Sequence, residues 1–80
     1  MKRQEILVKL EKIFREVFDN KKLIINEKTR INEIEEWDSL GQVMLIAAIM
    51  EDFKVSFSLK ELSKFNSVKE IIETIIKNEN

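Results

Sequence analysis

Ser39 is the residue of this chain whose type and surroundings most suggest chemistry. It lies in the segment from Trp37 to Gly41, with an acid before it and an apolar residue after it. No charged residue occurs from Leu40 to Met50, so the serine marks the point where a polar segment gives way to an apolar one. We therefore predict that Ser39 carries the function and that most other residues hold it in place.

The composition limits the chemistry that Ser39 can perform alone. The 80 residues include no Cys and no His, which excludes disulfides, thiolate metal sites and a histidine general base. Gly41 is the only glycine, so no Gly-rich loop cradles a nucleotide. A nucleophilic serine would need a base from Lys, from a carboxylate or from another protein. We expect Ser39 to accept a modification and the chain not to be an autonomous enzyme.

Ser39 has a structural interpretation as well, because a serine at the start of a helix commonly caps it. Ser58 and Ser67 stand at similar positions. Asp38, however, is as good a capping residue as serine. If Asp38 is the cap, Ser39 is the first helical residue and its hydroxyl is free. A phosphate attached there would meet unpaired N–H groups and a partial positive charge.

The overall composition is typical of one globular domain spanning residues 1–80. Hydrophobic residues make up 44% and charged residues 36% of the chain. A net charge of −1 gives no general attraction to nucleic acid or to anionic membranes. No signal-peptide pattern is present, and no apolar run approaches the roughly 18 residues of a membrane span. We expect a cytoplasmic protein with no nucleic-acid partner and no membrane span.

Helices must position Ser39, since the chain has one glycine and no proline. The spacing predicts an all-α, small four-helix bundle, with three main helices, a short third helix and a long first loop at 19–38. A short strand at Lys21–Asn26 is the alternative for part of that loop. The predicted helices are Lys2–Phe18, Ser39–Phe53, a short one from the capping box Ser58–Glu61 to about Lys64 or Phe65, and one opened by a second box, Ser67–Glu70. The inward stripe of the fourth helix is Val68, Ile71, Ile72, Ile75 and Ile76.

The second helix has two apolar faces. One reads Leu45, Ile46, Ile49 and Phe53 and should face the core; the other reads Leu40, Val43, Met44, Ala47 and Met50. A second apolar face is a candidate docking surface. Alternatively, Met44 and Met50 pack under the long loop. We interpret Trp37 as the anchor of that loop, and Gly41 as a place where a partner or an attached group comes close to the backbone.

Together with the chain length and the helix order, Trp37-Asp38-Ser39-Leu40 resembles the acyl carrier protein family. There, an Asp-Ser-Leu motif opens the second helix, and the serine is esterified with 4′-phosphopantetheine from coenzyme A. The resemblance covers nearly the whole chain. It implies attachment at Ser39 and places Asp38 where the family contacts the phosphopantetheinyl transferase. It also places the partner-enzyme surface at Leu40, Val43 and Ala47, to which the helix periodicity adds Met44.

The function implied by this resemblance is that of a monomeric acyl carrier served by acyl-loading and acyl-processing enzymes. Gly41, Met44 and Met50 occupy positions where that family commonly has acids, so electrostatic steering should be weaker and apolar contact should take a larger share of docking. A Trp directly before Asp-Ser-Leu, here Trp37, resembles the motif of carriers in specialised lipid, polyketide-like or surface-polymer pathways. Two alternatives stay open. One is an aminoacyl or peptidyl carrier, although these often have Gly-Gly where this chain has Glu35-Glu36. The other is an unmodified helical interaction module.

Overall fold

A computed structural model describes residues 1–79 and shows four α-helices. They are α1 (Arg3–Val17), α2 (Ser39–Phe53), α3 (Leu59–Leu62) and α4 (Val68–Asn78), with a single 3₁₀ turn at Ile31–Glu33 in the long first loop. The predicted all-α, four-helix fold is confirmed. The alternative strand at Lys21–Asn26 is wrong, because the described residues contain only one isolated bridge, between Arg30 and Ser67.

The core is built by the apolar stripes of α1, α2 and α4. Burying each of these large apolar side chains contributes about 1.5–3 kcal/mol. Ile76 was predicted to face inward but is 37% exposed, since it lies at the edge of the α4 stripe, about 100° around the helix from Ile75. The buried stripes comprise Ile6, Leu10, Ile13 and Phe14 on α1, Leu45, Ile46 and Ile49 on α2, and Val68, Ile71, Ile72 and Ile75 on α4.

The long first loop is pinned to α1 by side-chain hydrogen bonds. Arg15 Nε donates to the carbonyl of Leu23 at 2.7 Å, and the Ile25 N–H donates to the Glu11 carboxylate at 3.0 Å. The side chain of Ile25 is buried, whereas that of Ile24 is 76% exposed. An extended segment with alternate side chains turned inward satisfies its backbone against α1 without forming a sheet.

The loop also closes the start of α4. The N–H groups of Val68 and Lys69 donate to the carbonyls of Thr29 and Glu27, each at 2.9 Å. Arg3 Nε donates to the Glu27 carboxylate at 3.1 Å and so ties α1 to the same point. Hydrogen bonding from Arg3 lowers the pKa of Glu27 from its ordinary value of 4.5. Backbone groups far away in the sequence therefore do the work of a helix cap.

The predicted capping box at Ser67–Glu70 is wrong, because carbonyl groups of the first loop cap α4 instead. The Ser67 hydroxyl donates to the Glu70 carboxylate at 2.9 Å instead of accepting the Glu70 N–H. That carboxylate also accepts the N–H of Asn66 at 3.2 Å. Since the loop carbonyls already satisfy the first N–H groups of α4, the serine is not required as a cap.

The capping box at the start of α3 is confirmed. The Ser58 hydroxyl accepts the Glu61 N–H at 3.1 Å, and the Glu61 carboxylate accepts the Ser58 N–H at 2.9 Å. The helix ends at Leu62, earlier than predicted. The chain then tightens into turns, which deliver the Phe65 ring to the core 5.2 Å from that of Phe57.

Candidate functional site

Asp38 caps α2. Its backbone is extended, with φ −116°, and its carboxylate accepts the N–H of Gly41 at 2.7 Å. The Asp38 carbonyl accepts the N–H of Gln42 at 2.8 Å, which starts the helical hydrogen bonding. Ser39 is therefore the first helical residue, as the capping argument predicted.

Ser39 is exposed, and its hydroxyl makes no hydrogen bond with any residue of 1–79. The backbone N–H groups of Ser39 and Leu40 likewise have no acceptor within that part of the chain. Unpaired N–H groups and the positive end of the helix dipole favour an anion at this place. The surroundings of Ser39 thus fit a phosphate ester on its hydroxyl.

Trp37 packs beneath the start of α2 in a cluster of three aromatic rings. Its ring centre lies 5.3 Å from that of Phe14 and 5.7 Å from that of Phe18, both on or beside α1. Its indole N–H donates to the side-chain oxygen of Gln42. These contacts make Trp37 the anchor that the sequence predicted, with its ring half-buried.

The close approach at Gly41 comes from within the chain, which corrects the expectation that a partner or an attached group exploits it. Gly41 is buried, and a Cβ built on it would lie 2.7 Å from Cε1 of Phe18 and 3.1 Å from the Asp38 carboxylate. A distance of 2.7 Å is far below the separation of carbon atoms in ordinary contact. Glycine is therefore needed so that the Phe18 ring can support α2.

The predicted docking face is open to solvent. Leu40 is 67% exposed, Val43 66% and Met44 48%, and Ala47 is exposed on the same side. The structure separates the two methionines, because Met50 is half-buried and packs against the core. The alternative in which both lie under the first loop is wrong for Met44.

An apolar groove of about 320 Å³ runs alongside this face, between α2 and α3. The sequence predicted no functional role for Gln42 or Leu62, and it placed Ile46 in the core. The sequence could have indicated a role for Gln42, since it is the only hydrogen-bonding side chain between Leu40 and Met50. The groove is lined by Gln42, Val43, Ile46, Ala47, Met50 and Leu62.

Other kinds of site find little support in residues 1–79. No group of three or more Asp and Glu side chains there could hold a metal ion. None of the described helices is both long and apolar enough to cross a membrane. The serine at the start of α2 is left as the centre of the candidate site.

Comparison with known proteins identifies the family. A family model described as a phosphopantetheine attachment site matches residues 8–75. The chain belongs to this family. A holo acyl carrier protein from Geobacter metallireducens, solved in solution, is 35% identical, with a TM-score of 0.84 over 90% of this chain and 83% of that one. No curated protein sequence matches the chain.

A second solved structure agrees in fold. The acyl carrier protein of Thermotoga maritima has a TM-score of 0.83 at 24% identity, over 98% of this chain and 91% of that one. The protein is a carrier of the acyl carrier protein type and not a catalyst, and its prosthetic group is 4′-phosphopantetheine. The unpaired hydroxyl at the start of α2 agrees with that chemistry.

Proposed function

We propose that Ser39 is the residue that carries 4′-phosphopantetheine. The observation that supports this most strongly is the state of three serines at helix starts. The hydroxyl of Ser58 caps α3 and that of Ser67 donates to Glu70, whereas that of Ser39 is exposed and has no hydrogen-bond partner among residues 1–79. Ser39 is also the one within an Asp-Ser-Leu motif.

Modification of Ser39 is a phosphoryl-type transfer from coenzyme A. The Ser39 oxygen forms a bond to the phosphorus of the phosphopantetheine, and the bond from that phosphorus to 3′,5′-ADP breaks. The proton of the hydroxyl passes to a base of the transferase. Asp38 uses one carboxylate oxygen for its cap and keeps the other free of partners within residues 1–79, as a transferase contact requires.

In the proposed function the loaded protein is an acyl shuttle. The attached group supplies a thiol that holds an acyl chain as a thioester. Leu40, Val43, Met44 and Ala47 then present an uncharged surface to acyl-loading and acyl-processing enzymes. Because this surface lacks acids, apolar contact should take a larger share of docking. The Trp37 that precedes the Asp-Ser-Leu motif supports a specialised lipid, polyketide-like or surface-polymer pathway. We also propose a cytoplasmic, single-domain monomer.

Intact mass measurement tests the proposal. The protein is incubated with coenzyme A, magnesium and a broad-range phosphopantetheinyl transferase. The expected result is a gain of one phosphopantetheine in the wild type and in Ser67→Ala, and no gain in Ser39→Ala. An unmodified wild type, or a modified Ser39→Ala, would overturn the assignment.

An aminoacyl or peptidyl carrier is the second candidate, because it would share the fold and the modification. The sequence Glu35-Glu36-Trp37 before the motif favours an acyl cargo, since aminoacyl carriers often have Gly-Gly there. Offering the modified protein to acyl-loading enzymes and to amino-acid-adenylating enzymes separates the two. Thioester formation with amino acids alone would reverse the choice of cargo.

The docking surface is tested by Met44→Glu. The side chain of Met44 is 48% exposed, so the variant should fold normally. The introduced charge should slow acyl transfer to the partner enzyme about tenfold, because a carboxylate would be desolvated at the contact. Val8→Glu is the matched control, since Val8 is 60% exposed on α1, and it should leave transfer unchanged. Equal transfer rates in Met44→Glu and Val8→Glu would overturn the assignment of Met44 to the docking surface.

A further inference from the structure

The position of the Ser39 hydroxyl depends on neighbouring residues, because the hydroxyl makes no hydrogen bond within the described residues 1–79. The side chains of Ser39 and Leu40 are both exposed, so neither is held by packing against the core. The first turn of a helix tends to fray unless it is held. Something else must keep this turn in one geometry.

Trp37 and Gln42 enclose the motif from both sides. Trp37 precedes Ser39 by two positions and Gln42 follows it by three. The indole N–H of Trp37 donates to the Gln42 side-chain oxygen, which joins the end of the loop to the first turn of α2. This bond and the Asp38 cap together span the segment that contains Ser39.

The donor of this hydrogen bond, Trp37, packs against residues on and beside α1. The Trp37 ring meets the Phe14 ring edge-on, at an interplanar angle of 88°, and lies against the Phe18 ring. The Phe18 ring also supports Gly41 from below. Gln42 therefore receives its hydrogen bond from a donor that cannot easily move.

We propose that Trp37 and Gln42 are positioning residues for the modification of Ser39. Their hydrogen bond holds the first turn of α2 so that the serine hydroxyl keeps one orientation toward the transferase. Neither residue needs to touch coenzyme A. This inference rests on the proposed function and extends it to residues outside the Asp-Ser-Leu motif.

Three substitutions isolate the hydrogen bond from the packing. Trp37→Phe removes the donor and keeps an aromatic ring, and Gln42→Met removes the acceptor at similar side-chain length. Gln42→Glu keeps an acceptor at the same place. The rate of phosphopantetheine transfer, as kcat/KM for the carrier, should fall about three- to tenfold in either of the first two variants. Gln42→Glu should stay within about twofold of the wild type.

A double-mutant cycle tests whether the two residues act as a pair. Trp37→Phe combined with Gln42→Met should be no slower than the slower single variant, because the same bond is lost in each. The KM for coenzyme A should not change. Amide hydrogen exchange of Gly41 and Gln42 in the unmodified protein should speed up by a similar factor, whereas exchange in α4 should not.

Ile75→Val is the matched control for stability. Ile75 is buried in the core on α4, so this variant lowers the melting temperature without touching the motif. It should be modified at the wild-type rate. Additive losses in the cycle, or rates that follow the melting temperature in all variants, would overturn the positioning role. An unmodified wild type would overturn the proposed function as well.

Discussion

The starts of α2 and α4 differ, although each has a serine beside its first turn. The loop closes the start of α4, because the carbonyls of Thr29 and Glu27 accept its N–H groups at 2.9 Å. The start of α2 is capped only by its own Asp38, and two of its N–H groups find no acceptor in residues 1–79. A helix start closed by the chain itself is structural, whereas one left open can receive an attached group.

The two starts are also supported by different forces. Aromatic packing holds α2 from below, where the Phe18 ring meets Gly41. Hydrogen bonds hold α4, with the Arg3–Glu27 pair at their outer end. Aromatic packing leaves backbone N–H groups at the start of α2 free of acceptors in residues 1–79, whereas the hydrogen bonds at the start of α4 occupy its N–H groups.

Gly41→Ala should have the largest effect on stability. The added methyl would push the Phe18 ring into Phe14 and Trp37, and overpacking of this kind costs about 1–3 kcal/mol. A gain in helix propensity of up to about 1 kcal/mol offsets part of this cost. Denaturant unfolding should show a free energy of unfolding lower by about 1–2 kcal/mol.

Replacing Phe18 with a smaller residue tests whether the clash with its ring is what requires glycine at position 41. In a Phe18→Leu background, Gly41→Ala should cost much less than in the wild type, because the clashing ring is gone. If the cost is the same in both backgrounds, the close contact is not what requires glycine.

Asp38→Ala should lower the free energy of unfolding by about 1 kcal/mol, because the Gly41 N–H loses its acceptor. Asp38→Ser keeps a cap and should restore most of that stability. If Asp38 also contacts the transferase, Asp38→Ser should still be modified slowly. Thermal melts and modification rates of both variants separate the two roles. Full recovery of the rate in Asp38→Ser would limit Asp38 to capping.

Ser67→Ala should change the free energy of unfolding by less than about 0.5 kcal/mol. Its hydroxyl donates to Glu70 and caps no N–H group, because the loop carbonyls do that instead. Ser58→Ala is the matched comparison and should cost about 1 kcal/mol, since Ser58 is a true cap. Equal costs in thermal or denaturant unfolding would contradict this division.

The smallest predicted effect is a pH dependence at Glu27. In the folded protein, Arg3 lowers the pKa of the Glu27 carboxyl below 4.5. The ionised carboxylate therefore stabilises the fold fully at pH values above the pKa that Glu27 has in the unfolded chain. This stabilisation is lost as the pH falls through the lower pKa of the folded state. Glu27→Gln should melt slightly below the wild type at neutral pH. The gap between the two melting temperatures should close on acidification below about pH 4.5. A gap independent of pH would show that charge is not involved.

The sequence predicted best where local patterns decide the structure. The bounds of α2, Ser39–Phe53, were predicted as the structure has them, because Asp38 is a strong cap and the apolar run is unbroken. The free hydroxyl of Ser39 followed from the same argument. The Ser58–Glu61 capping box is equally local, since both partners lie within one turn.

The sequence did not predict the features that depend on contacts between residues far apart in the chain. Ser67–Glu70 has the same pattern as Ser58–Glu61, yet the approach of Thr29 and Glu27 gives it another role. Gly41 contacts Phe18, which belongs to a different helix region, so no local pattern shows why glycine stands there. The pairing of Trp37 with Gln42 was missed because a spacing of five positions is neither a helix nor a capping repeat.

Mapping of the attached group to a residue tests the central claim most directly. The wild type is modified in vitro, digested, and the peptides are fragmented by mass spectrometry to locate the added phosphopantetheine. The open start of α2 predicts that the group is found on Ser39 and on no other serine, and that Ser39→Ala melts like the wild type. A group on Ser58 or Ser67, or no group at all, would contradict the account.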